Sequence, residues 1–356
     1  MNFLILDTSF STVGVIDSFK SLLWVDRFDE FGDFEIYCSV SPKTQAAFKE
    51  DYYIWNSLSE HVMIIENKEI QSDVENGNHL VITGRSLESL LTRRIIWEQK
   101  IFEGNLQDKV QEMLNDTIIK PTIPERAIPN FIFERTDDPD ITKLTMNHQY
   151  TGDDLYKVIS ELCKEYKIGF KITLNYKNQF VFKLYKGVDR SYNQIANPYV
   201  VFSSAYDNII NSNYYTSKEN YKNVTLIAGE DRGHVRRTAL IGSASGLNRR
   251  ELFTDARDLS SETDHGQLSD ERYTKLLLAR GKKNLAEHRF TTAFEGKTET
   301  SNMFVYGQDF FIGDIVQLND DYGHEGGSYI SELVFSYDDN GCLIYPTFKM
   351  IEEEIE

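Results

Sequence analysis

Chemistry needs nucleophiles, acid–base groups or metal ligands at workable spacings, and this chain of 356 residues scatters its own. Its seven histidines stand singly, and no His-Glu-x-x-His occurs. Gly242-Ser243-Ala244-Ser245-Gly246 has the outline of a nucleophile elbow, but alanine holds the central position, so a flexible loop is expected. Asn319-Asp320-Asp321-Tyr322-Gly323, followed by His324-Glu325, offers oxygen ligands to calcium. The spacing departs from an EF-hand, and a solvated turn is expected there. No glycine-rich phosphate loop of dinucleotide or Walker type is present. Cys38, Cys163 and Cys342 are odd in number and far apart, which fits neither a disulfide framework nor a zinc knuckle. The sequons at Asn115 and Asn223 would matter only in a secretory protein. Carboxylate pairs abound among 56 acids and so cannot single out a glycosidase. No catalytic residue, cofactor or metal is assigned.

One charge feature runs against the acidic background. Arg232, His234, Arg236 and Arg237, followed by Arg249-Arg250, form a basic island. It suits a phosphate, an acidic partner, a solvated loop or a salt-bridge surface between subunits; the last two are favoured. Arg232, Arg236 and Arg237 are the candidate interface residues. Elsewhere acids prevail, 56 against 38, for a net charge of -18. That balance argues against a protein that grips the nucleic-acid backbone. A hydrophobic content of 40% with 13% aromatics can bury a substantial core, which excludes wholesale disorder. No apolar run approaches the roughly 18 residues that span a bilayer. Met1 to Asp7 carries no basic region of a secretory signal. A soluble protein of two or three domains is expected.

The elements that would position these residues are mostly strands at first. Phe3–Leu6, Val13–Ile16, Leu22–Phe28, Phe34–Val40, Val62–Glu66, Glu69–Val74 and His79–Thr83 are short and rich in β-branched and aromatic residues, with Glu75-Asn76-Gly77-Asn78 as a hairpin turn. From Trp97 the period becomes helical. Leu106, Val110, Met113, Leu114 and Ile118 mark one helix that stops before Lys120-Pro121. Leu155, Val158, Ile159, Leu162, Cys163 and Tyr166 mark a second, with the thiol on its apolar face. Ile168–Leu174 and Phe180–Tyr185 then read as strands. More strand material runs from Val200 to Ala228, and a polar stretch extends from Gly229 to Gly266. The clearest helix is Leu268 to His288, with Ser269 as its cap. Ile312–Leu318, Tyr329–Tyr337 and Cys342–Met350 return to strands, the last two joined by a turn at Asp338-Asp339-Asn340-Gly341.

Two stretches resemble a known family. Ser21-Leu22-Leu23-Trp24-Val25-Asp26-Arg27-Phe28 precedes Phe31-Gly32-Asp33-Phe34-Glu35-Ile36, then Ile64-Ile65-Glu66, Ile82-Thr83-Gly84-Arg85-Ser86-Leu87 and Leu91-Thr92-Arg93-Arg94-Ile95-Ile96. Later come Tyr306-Gly307-Gln308-Asp309-Phe310-Phe311-Ile312-Gly313-Asp314-Ile315-Val316 and Tyr345-Pro346-Thr347-Phe348. This order is similar to the baseplate hub proteins of long-tailed bacteriophages, whose longer members are called tail-associated lysins. Locally, Gly32 and Gly313 each precede an Asp where a strand begins, a place for a turn that other residues would strain. Ser86 reads as the cap of a short helix from Leu87 to Leu91.

The resemblance implies a β-rich α+β chain with two small β-barrels, inserted α+β modules and a trimeric hub architecture. The expected domains are 1–95 (first barrel), 96–199 (inserted α+β domain), 200–228 with 290–356 (second barrel) and 229–289 (an insertion with the long helix). Three subunits with two barrels each would adapt a sixfold tail tube to a threefold tip and surround the DNA passage. Implied partners are further copies of the chain, the distal tail protein, other baseplate proteins and the tape measure protein, with DNA passing through the lumen unbound and no membrane span. The lumen wall is expected to be acidic or polar, and the basic island to lie away from it. Two other readings compete. A peptidoglycan hydrolase or peptidase would need a lytic domain, for which no room is expected after the last strand. A saccharide-binding tail module would draw on the 3 Trp, 20 Tyr and 22 Phe, but these follow strand and helix periodicity and are expected in the core.

Overall fold

The computed structural model describes residues 3–73, 77–230, 236–263, 266–297, 303–338 and 341–350. The opening strands alternate buried and exposed residues with period two, as half-buried strands must. They are β1 (Phe3–Leu6), β2 (Thr12–Ile16), β3 (Ser21–Arg27), β4 (Asp33–Ser39), β5 (Tyr53–Asn56), β6 (Val62–Asp73) and β7 (Gly77–Ser86). β5 and the short helix α1 (Pro42–Ala47) add to the elements expected from sequence. In α1, Ser41 and Thr44 cap each other reciprocally, and Pro42 holds the first turn. The two strands expected at Val62–Glu66 and Glu69–Val74 are one, β6, with a bulge between Ile65 and Asn67. Of the expected turn at Glu75–Asn78, Glu75 and Asn76 lie outside the described residues. Ser86 does not cap the 3-10 turn at Leu87–Arg93; its hydroxyl accepts the Gly32 N–H at 2.7 Å, tying that turn to β4.

The middle of the chain forms a module with its own core. Its strands are β8 (Lys100–Asn105), β9 (Phe131–Glu134), β10 (Thr145–Tyr150), β11 (Gly169–Leu174) and β12 (Phe180–Tyr185), and its helices α2 (Leu106–Leu114), α3 (Pro139–Thr142) and α4 (Leu155–Tyr166). Both expected helices are present. Asn105 caps α2 and Asp154 caps α4, while Lys167 ends α4 at φ 54°. Val110, Met113, Val158, Ile159, Leu162 and Cys163 bury one stripe of each helix against Phe170 and Phe182. Leu87, Leu90 and Leu91 carry this core onto the first sheet, so the module is fused to it.

The next elements are β13 (Val201–Ser203), β14 (Ile210–Ser217), β15 (Val224–Ala228), β16 (Thr238–Ile241), β17 (Glu251–Asp255), β18 (Glu262–Thr263), β19 (Gly266–Gln267), α5 (Asp270–Ala286) and β20 (Thr291–Lys297). Ser269 caps α5 as expected. The strands from Val200 to Ala228 were expected to join the C-terminal ones; β13 does pair β21, but β15 instead pairs β16 and β17 beneath α5. Ile227 with Tyr273, Leu276 and Leu277 forms this small core. The helix can lie that close because Gly281 is bare: a Cβ there would stand 2.5 Å from Ile227.

The closing strands are β21 (Ile315–Asn319), β22 (Glu325–Asp338) and β23 (Gly341–Met350). Of the turn before β23, Asp339 and Asn340 lie outside the described residues. Here the structure departs most from expectation. β22 pairs β3, Glu332 against Arg27 through Tyr337 against Leu22, so the two ends of the chain share one eleven-stranded sheet. Among the described residues the order β13-β21-β22-β3-β4-β7-β6-β5-β1-β2 does not close on itself, and β23 flanks β22. One core serves both ends, with Trp24, Phe34 and Ile82 packed together with Val316, Leu333 and Phe335. Among the described residues no closed barrel is found, and the two ends contribute to one continuous β-rich layer in an α+β chain. The reason is that β3 has hydrogen-bonding edges on both sides, and β4 satisfies only one of them.

Three glycines fix where backbones meet. Gly313 adopts φ 87°, as the turn reading expected, whereas Gly32 is required by proximity: a Cβ would lie 2.1 Å from the Val25 carbonyl oxygen. At Gly84 the corresponding distance to the Ile64 oxygen is 1.8 Å. Gly84→Ala should therefore cost about 3 kcal/mol or more by forcing β6 and β7 apart. Gly14→Ala, whose Cβ meets nothing nearer than 3.5 Å, should stay within about 0.5 kcal/mol. Urea unfolding of both variants checks this, and equal midpoints would refute the close-approach account.

Candidate assembly site

Register across six strands sorts the sheet into two faces. Phe335, Trp24, Phe34, Gly84 and Ile65 stand side by side on β22, β3, β4, β7 and β6, and all are buried. The neighbouring row is Leu343, Ser336, Leu23, Glu35, Thr83 and Asn67, and none of these is buried. The sheet thus has one face on the core and one open, as antiparallel sheets allow. The open face is polar and acidic. Arg27 donates to Asp33 at 2.5 Å and to Glu332 at 2.7 Å, and Arg85 holds Glu66 through two bonds of 2.6 and 2.7 Å. These arginines are neutralised where they stand, while Glu35 and Glu69 are exposed and have no basic partner among the described residues. Asp33, Glu35, Glu66, Asn67, Thr83 and Arg85 line a shallow groove on this face.

Behind the sheet, where it meets the middle module, lies a buried charged cluster that sequence reasoning missed. Glu88 and His61 are both buried, with the His61 Nδ1 3.0 Å from Glu88 Oε1. The same carboxylate accepts the Ile172 N–H at 2.7 Å, which anchors β11. Buried Asp26 accepts Trp24 Nε1–H at 2.8 Å and the Ser59 hydroxyl at 2.7 Å, and Ser59 in turn accepts the His61 N–H at 3.0 Å. Burial disfavours the charged His61, but Glu88 and Asp26 outweigh it and push its pKa up to about 9. Burial also raises Glu88, but His61 overcomes this and holds it below the usual carboxylate range. At Asp26 burial prevails and raises the pKa. A serine, a histidine and two acids together suggest acyl transfer. However, Ser59 donates to Asp26 and not to the imidazole, and the imidazole is buried, so this cluster ties elements together. The available signal was Glu88 itself, a carboxylate inside the apolar run Leu87 to Leu91. Nothing local identifies His61 as its partner.

The residues singled out from sequence do not converge. Arg236 donates to the Gly229 and Ala228 carbonyls and to Asp255, each at 2.7 Å. Arg237 faces Glu230 and Asp270 and lies 3.9 Å from the Tyr273 ring centre. Arg232 and His234 lie outside the described residues. Beside Arg236, the exposed row Leu240, Leu226 and Phe253 crosses β16, β15 and β17. Asp320 spends its carboxylate on its own turn, accepting the Tyr322 and His324 N–H groups and facing His324 Nδ1 at 2.7 Å. Burial pushes the thiols of Cys38, Cys163 and Cys342 up, away from reactivity.

The His61–Glu88 pair predicts how stability varies with pH. A histidine at about 9 in the folded chain and 6.5 in the unfolded one binds more protons when folded in between. Its stabilisation should be complete below pH 6.5, shrink as pH rises from there and vanish above about 9. Unfolding from pH 6 to 9.5 should show this decline, and His61→Gln should flatten it. An unchanged slope in His61→Gln would refute the assignment. Glu88→Ala, which leaves a buried cation unpaired, should cost about 3–5 kcal/mol.

Comparison with known proteins supplies the context. The sequence matches the Siphovirus ReqiPepy6 Gp37-like protein family over residues 2–348. No curated protein sequence matches it. Among solved structures, the fold is similar to the prophage MuSo2 43 kDa tail protein from Shewanella oneidensis, at TM-score 0.59 and 11% identity, covering 98% of each chain. It is similar to the tail protein from Neisseria meningitidis MC58, at TM-score 0.57 and 12% identity, covering 98% of this chain and 96% of that one. It also resembles prophage tail protein gp18 from Listeria monocytogenes EGD-e, at TM-score 0.54 and 10% identity, over 100% and 96% of the two chains. With a family match from end to end and the fold of phage tail proteins, the chain belongs to the Siphovirus ReqiPepy6 Gp37-like protein family.

Proposed function

We propose that this protein is a structural hub of a bacteriophage tail tip. In this reading three copies form a ring that joins the tail tube to the tip and surrounds the passage for DNA. The observation that carries it is the agreement with phage tail proteins across the full length of both chains. The reading makes the protein a non-enzymatic component of the virion tail. Its neighbours would be further copies of itself, the distal tail protein, other baseplate proteins and the tape measure protein. Each copy would contribute its continuous sheet to the ring wall.

The open face of that sheet suits a lumen. DNA carries a dense negative charge, and a basic wall would hold it through counterion release. A wall on which Arg27 and Arg85 are neutralised while Glu35 and Glu69 remain free repels it weakly and lets it pass. Of the basic island, Arg236 and Arg237 fall elsewhere, on the β15–β17 layer beside the exposed Leu226, Leu240 and Phe253. That combination of arginine and apolar surface suits a contact with a neighbouring subunit. We place Arg236 and Arg237, with Arg232, at that contact.

Cryo-electron microscopy of intact tails should show this chain as a threefold ring, consistent with the cyclic preference of homo-oligomers. A twofold arrangement would overturn the reading. Glu35→Lys combined with Glu69→Lys should slow DNA ejection several-fold at low salt, with the difference shrinking as salt rises. Unchanged ejection kinetics would remove that face from the lumen.

A further inference from the structure

The arginines of this acidic chain are mostly spent inside it: Arg27, Arg85, Arg190 and Arg280 each face a carboxylate. Arg94 and Arg126 have no such partner among the described residues. Arg94 donates from Nε to the Arg126 carbonyl at 2.7 Å and from Nη1 to the Arg93 carbonyl at 2.8 Å. Arg126 donates from Nη2 to the Ile95 carbonyl at 2.5 Å and lies 4.6 Å from the Trp97 ring centre. Both guanidinium groups are thus clamped by backbone oxygens, with donors to spare. Together with Thr92, Arg93, Ile95 and Trp97 they line a shallow cleft in which Glu125 is the sole acid. Burial, Arg126 and Arg93 together lower the Arg94 pKa, the signature of positive charge without compensation. Around the cleft Ile95, Trp97 and Ile123 are 39%, 55% and 37% exposed. Arginine beside an exposed tryptophan is the composition of a binding hot spot.

We propose that this cleft receives the acidic segment Ile351-Glu352-Glu353-Glu354-Ile355-Glu356 of a neighbouring copy of the chain, an inference that rests on the multi-copy reading above. The segment lies outside the described residues, and its composition complements the cleft: four glutamates for the guanidinium groups and two isoleucines for Ile95, Trp97 and Ile123. Arg–carboxylate pairing is strong because the planar fork can engage both oxygens. The hub reading sets copies of the chain side by side, which makes a neighbour the donor of this segment, and the concentration dependence below separates a neighbour from the same chain.

The test uses the full-length chain with Glu352, Glu353, Glu354 and Glu356 all changed to Gln. Acrylamide quenching of Trp97 is read against a Trp97→Phe control that removes its signal from those of Trp24 and Trp55. In the wild type, Trp97 should be protected, more so at higher protein concentration, and in the Gln variant quenching should rise about threefold. A synthetic peptide of residues 349–356 should restore protection, while its Gln counterpart and a single-stranded oligonucleotide should not. Arg126→Gln should weaken the peptide about tenfold, and the comparison of Glu and Gln peptides decides even if that variant fails to fold. Equal binding of both peptides, or arginine-dependent binding of the oligonucleotide instead, would overturn the inference. Equal quenching of wild type and Gln variant within an intact oligomer would overturn it while leaving the hub reading standing. Protection of Trp97 that is independent of concentration in a monomeric wild type would assign the segment to the same chain and overturn the inference.

Discussion

The pairing of β3 with β22 is the contact on which the rest of the molecule depends. Arg27 and Glu332, 305 residues apart, meet there at 2.7 Å, and the register from Leu22 to Arg27 welds the two ends of the chain into one sheet. Closing so long a loop costs entropy, but the cost grows only with the logarithm of its length. A row of backbone hydrogen bonds and the burial of Trp24 against Phe335 offset it. Once that seam forms, both middle segments become insertions hung from a common frame, and the core has contributions from each end.

The frame and the middle module are joined by burying charge. Glu88 could not be taken out of water unpaired at tolerable cost, so its position requires His61, and their pairing requires β11 to present the Ile172 N–H. Three segments distant in sequence are thereby held in one geometry. The same logic runs over the surface with the opposite economy. On the open face, Arg27 and Arg85 each meet a carboxylate at the sheet, so a polar wall forms with little local field apart from its unpaired acids. Under the proposed hub reading, a wall that lets a polyanion pass without holding it has physical reason for such a surface.

Much of this was legible in the chain itself. The stripes at Leu106–Ile118 and Leu155–Tyr166, the strands from Phe3 to Val40 and the cap at Ser269 all follow from periods of 3.6 and two and from local hydrogen bonding. The blocks around Trp24–Ile36 and Tyr306–Val316 carried enough order to indicate a tail-protein family. What escaped was partner choice. β15 reads like any short apolar strand, and only the docking of α5 across Gly281 decides that it leaves the main sheet. Ser86 reads as a helix cap, yet its hydroxyl is taken by Gly32, 54 positions away.

The sequence alone therefore determined most of the elements, the acidity and the family, because each rests on neighbouring residues or on composition. The tertiary structure decided that the two ends share one sheet, which face of that sheet stays open, and that His61 and Glu88 are buried together. Strand edges are interchangeable in their hydrogen bonding, so the choice among them is made by which arrangement buries the most apolar surface while pairing charges that are buried with it, as His61 and Glu88 are.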